Sequence, residues 1–225
     1  MAMAMAANPS RASQASLPAA IGTFNHDISE NVFTFPVSRS FGCGSAAISA
    51  ASRPGVFATD TNCAHAVQTI LTYYIEFDGP FNPALPVFIT STTELEADGQ
   101  AVAGASGSIN GQIIIGDNCY VSIQSGCGKQ SHFVERPFAA NQLYSVTLNV
   151  IAHNSFGAGM GYAFLDPVFS FNPSFANAAD YMIRLSPGIG NGVPVIAVPE
   201  PEILSMMLVG IAGLALRRRT VKGGL

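Results

Sequence analysis

The chain has 225 residues, with 14 acidic against 10 basic ones for a formal net charge of −4, four cysteines and no tryptophan. Such a composition offers no basic patch to release phosphate counterions, which excludes nucleic acid as a partner. With 48% apolar residues and only 11% charged ones, it has the material for one sizeable buried core.

In chain order, residues 1–20 come first and lack the roughly 7–15-residue apolar core of an export signal. They do contain Ala2-Met3-Ala4 and Ala4-Met5-Ala6, each of the A-x-A form that precedes signal-peptidase cleavage. The expectation is a disordered N-terminus that is the remnant of a longer signal peptide, with the true start upstream of Met1. A flexible Ala/Ser-rich end is the plainer alternative.

Residues 21–191 read as one all-β domain, an antiparallel, jelly-roll-like sandwich of two sheets around a shared core. Segments 67–77, 112–115, 120–123, 143–152 and 162–171 are rich in β-branched and aromatic residues, with Gly, Pro, Asn and Asp between them. Val146, Leu148 and Val150 alternate with Ser145, Thr147 and Asn149, the period of a strand with one buried face. Asp78-Gly79-Pro80 ends a strand, and Gly116-Asp117-Asn118 is expected to make a hairpin turn. No helical periodicity of typical length precedes residue 200; residues 46–51 and 175–180 could each form one helical turn. Pro167 and Pro173 mark bends or edge positions, and Gly188 and Gly190 a turn where the chain leaves the sheet.

The four cysteines, Cys43, Cys63, Cys119 and Cys127, allow three connectivities. Their two local pairs favour 43–63 and 119–127, cross-links that stabilise by ~2–4 kcal/mol each if unstrained. Zinc is the competing use, with His65 two positions after Cys63, but no C-x₂₋₄-C pair is present. His132 and His153 are isolated.

Catalytic constellations are poor, and the chain is not expected to be an enzyme. Gly42 to Ser45 surrounds Cys43 without an assignable histidine. Gly104 and Ser106-Gly107 lack nucleophile-elbow spacing. Gly157, Gly159 and Gly161 precede a strand-like run rather than the helix a dinucleotide site needs. No cofactor is expected. Glu94, Glu96 and Asp98 form the best carboxylate cluster; at period 2 they would share a strand face, where oxygen ligands suit Ca²⁺. Solvated charges that protect an edge strand are the commoner reason for such a pattern.

The tail is the most informative segment. Residues 192–201 form a linker, with Pro199 and Pro201 holding the residues before them extended. Residues 202–225 then give an apolar run at 203–216 followed by Arg217, Arg218 and Arg219. As a helix, 14 residues cover about 21 Å, short of the ~30 Å hydrocarbon core. This suits a temporary anchor better than a permanent one. All 14 acidic and six of the basic residues precede the run, leaving a body at −8 and a tail at +4. The positive-inside rule keeps that tail cytoplasmic and sends the body across.

Val198-Pro199-Glu200-Pro201, the apolar run and the basic end together resemble the PEP-CTERM sorting signal of Gram-negative bacteria. Residues 164–175, Tyr181 and 186–191 also look like the end of the exported β domain in many such proteins. The resemblance implies transient insertion in the inner membrane through 203–216 and processing by exosortase near 199–201. The destination it implies is the cell surface or extracellular matrix, with exopolysaccharide as an associated partner. The expected function is structural. A surface carbohydrate-binding module is the alternative, with Tyr73, Tyr74 and Tyr120 as the candidate stacking rings in a chain without tryptophan.

Overall fold

A computed structural model describes residues 16–50, 54–61, 66–120, 127–154 and 159–192. The expected signal remnant at 1–6, Cys63, His65, Gly157 and the whole tail from Val198 to Arg219, including the expected helix, lie outside the described residues. Residues 1–192 and 193–225 form separate units, and the β domain lies within the first.

The described residues are all-β, in two antiparallel sheets. The strands are β1 (Ile21–Asn25), β2 (Ser29–Val32), β3 (Val37–Phe41), β4 (Gly44–Ser49), β5 (Gly55–Thr61), β6 (Ala66–Asp78), β7 (Leu85–Ala97), β8 (Ala101–Ile109), β9 (Gln112–Tyr120), β10 (Gly128–Phe138), β11 (Leu143–Asn154), β12 (Met160–Phe171) and β13 (Met182–Leu185). One sheet runs β2-β1-β6-β11-β8-β9, with β13 added to β6; the other runs β10-β7-β12-β5-β4-β3. Strands β5 to β12 thus fall four to a sheet, as β6-β11-β8-β9 and β10-β7-β12-β5. That is the order of a jelly roll made from two Greek keys.

Alternation explains the core. Val67, Leu71, Tyr73, Ile75 and Phe77 of β6 and Val146, Leu148, Val150 and Ala152 of β11 point inward, where they join Val87, Ile89, Leu95, Leu165 and Phe169 of the opposite sheet in one cluster. Full burial of each large aliphatic side chain stabilises by about 1.5–3 kcal/mol. One end is closed by aromatic rings. Phe77 lies 4.8 Å from Phe138, 6.2 Å from Tyr144 and 6.0 Å from Phe171, and so joins strands of both sheets.

Asp78-Gly79-Pro80 ends β6 as the sequence predicts, and a 3₁₀ turn at Ala178–Asp180 falls within the expected 175–180. Two expectations are corrected. Gly116-Asp117-Asn118 is not a turn but the middle of β9; the hairpin is made at Asn110 and Gly111, whose φ values of 48° and 78° are what a type I′ turn requires. The alanines at 46–49 are strand rather than helical turn, because Ala46 and Ile48 fill the core between β5 and β3.

Tyr73 is fully buried, and its hydroxyl has no hydrogen-bond partner among the described residues. Burial pushes its phenol well above the ordinary range. An unsatisfied buried hydroxyl costs free energy that a hydrogen atom in its place does not. Tyr73→Phe is therefore expected to raise stability by about 1 kcal/mol in urea unfolding; a destabilised variant would contradict the assignment.

The chain leaves the body under several constraints. The ladder between β12 and β5 stops at Leu165 and Val56, so Pro167 costs no hydrogen bond on that side. Farther along, Asn191 takes the place of a strand: Phe169 N–H donates to its Oδ1 at 2.9 Å, and its Nδ2 donates to the Phe169 carbonyl at 2.7 Å. Gly190 N–H donates to Ala50 O at 2.6 Å. Ser186 Oγ accepts from Tyr74 N–H at 2.8 Å and donates to Pro18 O at 2.7 Å.

Candidate functional site at the open edge of the sandwich

A sandwich has two flanks where edge strands of opposite sheets face each other unpaired, and here each flank is bridged by polar side chains. On one, Arg39 of β3 holds Glu30 of β2 through Nε to Oε2 at 2.9 Å and Nη2 to Oε1 at 2.6 Å. That hydrogen bond keeps the Glu30 carboxyl below its usual range against a partial opposing effect of burial. On the other flank β9 faces β10, and this flank carries more chemistry.

A bulge sets the phase of β9. Its ladder with β8 slips between Gly107 and Ser108, so Gly107 pairs with Ile115 but Ser108 with Ile113, leaving Ile114 as the extra residue. Gln112, opposite buried Ile109, lies on one side of the slip. Ile115, Asp117 and Cys119 face inward on the other, since a one-residue shift exchanges the faces of every later residue in the strand.

Three features then lie along the flank. Cys119 is bonded to Cys127, just before β10. Asp117 Oδ2 lies 2.6 Å from His132 Nε2 and also accepts a hydrogen bond from Thr93 Oγ1. Thr93 is fully buried, and its Oγ1 is 3.1 Å from the same His132 nitrogen. At the far end a pocket of about 210 Å³ opens beside the Asn110–Gly111 turn, lined by Ile109, Asn110, Gln112, Arg136, Phe138 and Tyr144 among others.

The Asp117–His132–Thr93 group joins strands from both sheets. A nucleophile relay would place the hydroxyl at one ring nitrogen and the acid at the other. Here both contact Nε2, an arrangement suited to holding β9 against β10 rather than to activating the threonine.

The residues singled out from the sequence are distributed otherwise. Glu94 and Glu96 do share the outer face of β7, as period 2 predicts, but Asp98 lies beyond the strand end. No group of three or more His, Cys, Asp or Glu converges on a cation position among the described residues. Glu94 and Glu96 instead flank Tyr162, whose phenol is raised by partial burial and by both carboxylates. Tyr73 is in the core, while Tyr74 and Tyr120 sit toward opposite ends of their sheet, in β6 and at the end of β9. These three rings do not assemble into a platform. Cys43 is disulfide-bonded and stands 4.0 Å from His26 Nε2; Cys63, its expected partner, is outside the described residues.

Sequence reasoning missed Asp117, His132, Gln112 and Arg136 as neighbours. The Asn110-Gly111 pair was the available signal, since it fixes where β9 begins; the bulge that turns Asp117 inward has no comparable mark.

Residues 197–219 match the family model of the PEP-CTERM protein-sorting motif. No curated protein matches the sequence. Among solved structures, the adhesin domain of Epf from Streptococcus pyogenes is similar at 10% identity and a TM-score of 0.35, over 68% of this chain and 60% of that one. A structure of infectious bursal disease virus, Gx strain, is similar at 11% identity and a TM-score of 0.23, over 82% of this chain and 59% of that one. The chain thus spans about three fifths of each neighbour. Neither bears on function at such scores.

Proposed function

We propose that this chain, which carries a PEP-CTERM protein-sorting motif at residues 197–219, is an exported protein of the cell surface or extracellular matrix with a structural role. Exosortase processes it near Pro199-Glu200-Pro201. The motif is the observation that carries the reading, since it joins a proline-flanked acidic site to a short apolar run and a basic end. The split of charge between a body at −8 and a tail at +4 supports translocation of the body. The Cys119–Cys127 disulfide supports an oxidising destination. A sandwich with both flanks bridged suits a protein that must persist outside the cell, because unpaired edges invite association with other strands.

The intact mass of the protein recovered from the cell surface or medium tests the reading. The expected C-terminus falls within 199–201. A surface form that still contains 203–225 would overturn it.

A further inference from the structure

We propose that the pocket at the Arg136 end of the β9–β10 flank binds a carboxylate-bearing pyranose, a uronic acid residue of a polysaccharide. This goes beyond the sorting assignment and does not rest on it.

Arg136 supplies the charge. Of the four Lys and Arg side chains among the described residues, Arg39 pairs with Glu30 and Arg184 with Glu76 at 2.7 Å. Lys129 stands on the outer face of the sheet opposite Glu94. Arg136 lines the pocket, and its guanidinium makes no hydrogen bond or ion pair among the described residues. In a body at −8, a guanidinium left out of every available ion pair is a prepared partner for an outside anion. Its planar fork matches a carboxylate with two parallel hydrogen bonds.

The rest of the pocket selects for a ring. Phe138 and Tyr144 meet edge to face, with centroids 4.9 Å apart and planes at 89°. Together with Ile109 they supply the apolar part of the lining, against which the C–H face of a sugar can pack. The Tyr144 hydroxyl is committed, accepting from Ala139 N–H at 2.8 Å and donating to Gln142 Oε1 at 3.0 Å. This fixes the ring in place. Asn110 spends its Oδ1 on Ser145, which leaves its amino group for a sugar hydroxyl. Gln112 has neither side-chain end engaged among the described residues. One guanidinium, two amide ends and two aromatic rings are the groups that a pyranose with a carboxylate and several hydroxyls requires.

Size agrees. At about 210 Å³ the pocket lies below the ~300–1,000 Å³ of sites for drug-sized ligands, and suits one monosaccharide unit. The position is also rigid, since the type I′ turn fixes Asn110 and Gln112 while Arg136 and Phe138 belong to a strand paired along its whole length with β7.

The test is titration of the oxidised full chain in detergent solution with glucuronate, glucose and N-acetylglutamate, read by NMR shifts of Gln112, Arg136 and Tyr144. Glucuronate is expected to shift all three and to bind about tenfold or more tighter than either glucose or N-acetylglutamate. Arg136→Gln is expected to weaken glucuronate about tenfold or more with an unchanged melting temperature, because the guanidinium supports nothing in the fold. Gln112→Ala, also without a structural partner, gives a second measure and should weaken it less. Equal binding of glucose would overturn the role of the charge, and equal binding of N-acetylglutamate the preference for a ring. Shifts confined to residues outside the pocket, or undiminished affinity in Arg136→Gln, would overturn the site.

Discussion

Glu200→Ala is expected to abolish maturation and to leave the full-length chain in the inner membrane. The expectation follows from the chemistry of residues 198–203. A following proline disfavours the helical region, at Glu200 before Pro201 and at Val198 before Pro199, a preference that suits binding by a protease in extended form. Within it Glu200 is the only charged side chain between the two prolines. Removing the carboxylate leaves both prolines in place while deleting the feature a protease could read. Without cleavage the apolar run at 203–216 and the arginines at 217–219 stay together as an anchor. Cell fractionation and immunoblotting read the result directly. Normal yields of the shortened, released form would contradict the motif's role, and Glu200→Asp, which keeps the charge, distinguishes a need for charge from a need for side-chain length.

Phe77→Ala is the largest expected loss of stability, about 3–5 kcal/mol. Phe77 is fully buried and touches three other rings drawn from β10, β11 and β12. Its removal deletes the transfer free energy of the ring and leaves a cavity whose walls belong to two sheets, which cannot collapse inward independently. Each lost aromatic pair adds a further ~0.5–1.5 kcal/mol beyond area alone. Phe81→Ala supplies the contrast: with 87% of its surface exposed, it should change stability by less than about 0.5 kcal/mol. Urea unfolding of both variants checks the pair. A loss below about 1 kcal/mol in Phe77→Ala would mean that the aromatic end repacks freely.

The sequence made the strand interiors legible and left their edges obscure, for a physical reason. In β6 and β11 every second residue is apolar over much of the strand, a pattern that tertiary context rarely overrides. The jelly-roll order follows from which strands pair across the chain, and the alternation carries only a faint trace of that. At residues 46–49 the alanines are as compatible with a helical turn as with a strand, and only the neighbours Phe57 and Val56 decide. In β9 three consecutive isoleucines, Ile113 to Ile115, hide the phase, so that Gly116-Asp117-Asn118 looks like a turn. The bulge resolves it by placing one isoleucine on each side and one between. The candidate pocket was illegible for the same reason, since Gln112 and Arg136 meet only after β9 and β10 have been assigned to opposite sheets.

The hydrogen bonds of Asn191 decide how tension in the tail would enter the body. A pull transmitted through residue 192 meets Asn191 first, and Asn191 is tied to Phe169 by two backbone-like bonds. Phe169 belongs to β12, flanked on its other side by the eleven-residue ladder with β7. Those two bonds must break before load passes back along the chain to Gly190, Ser186 and β13. Without them the load would fall sooner on the four-residue β13, whose bonds to β6 can be peeled away one at a time. Asn191 thus acts as a clasp that delays unravelling of the domain from its C-terminal side.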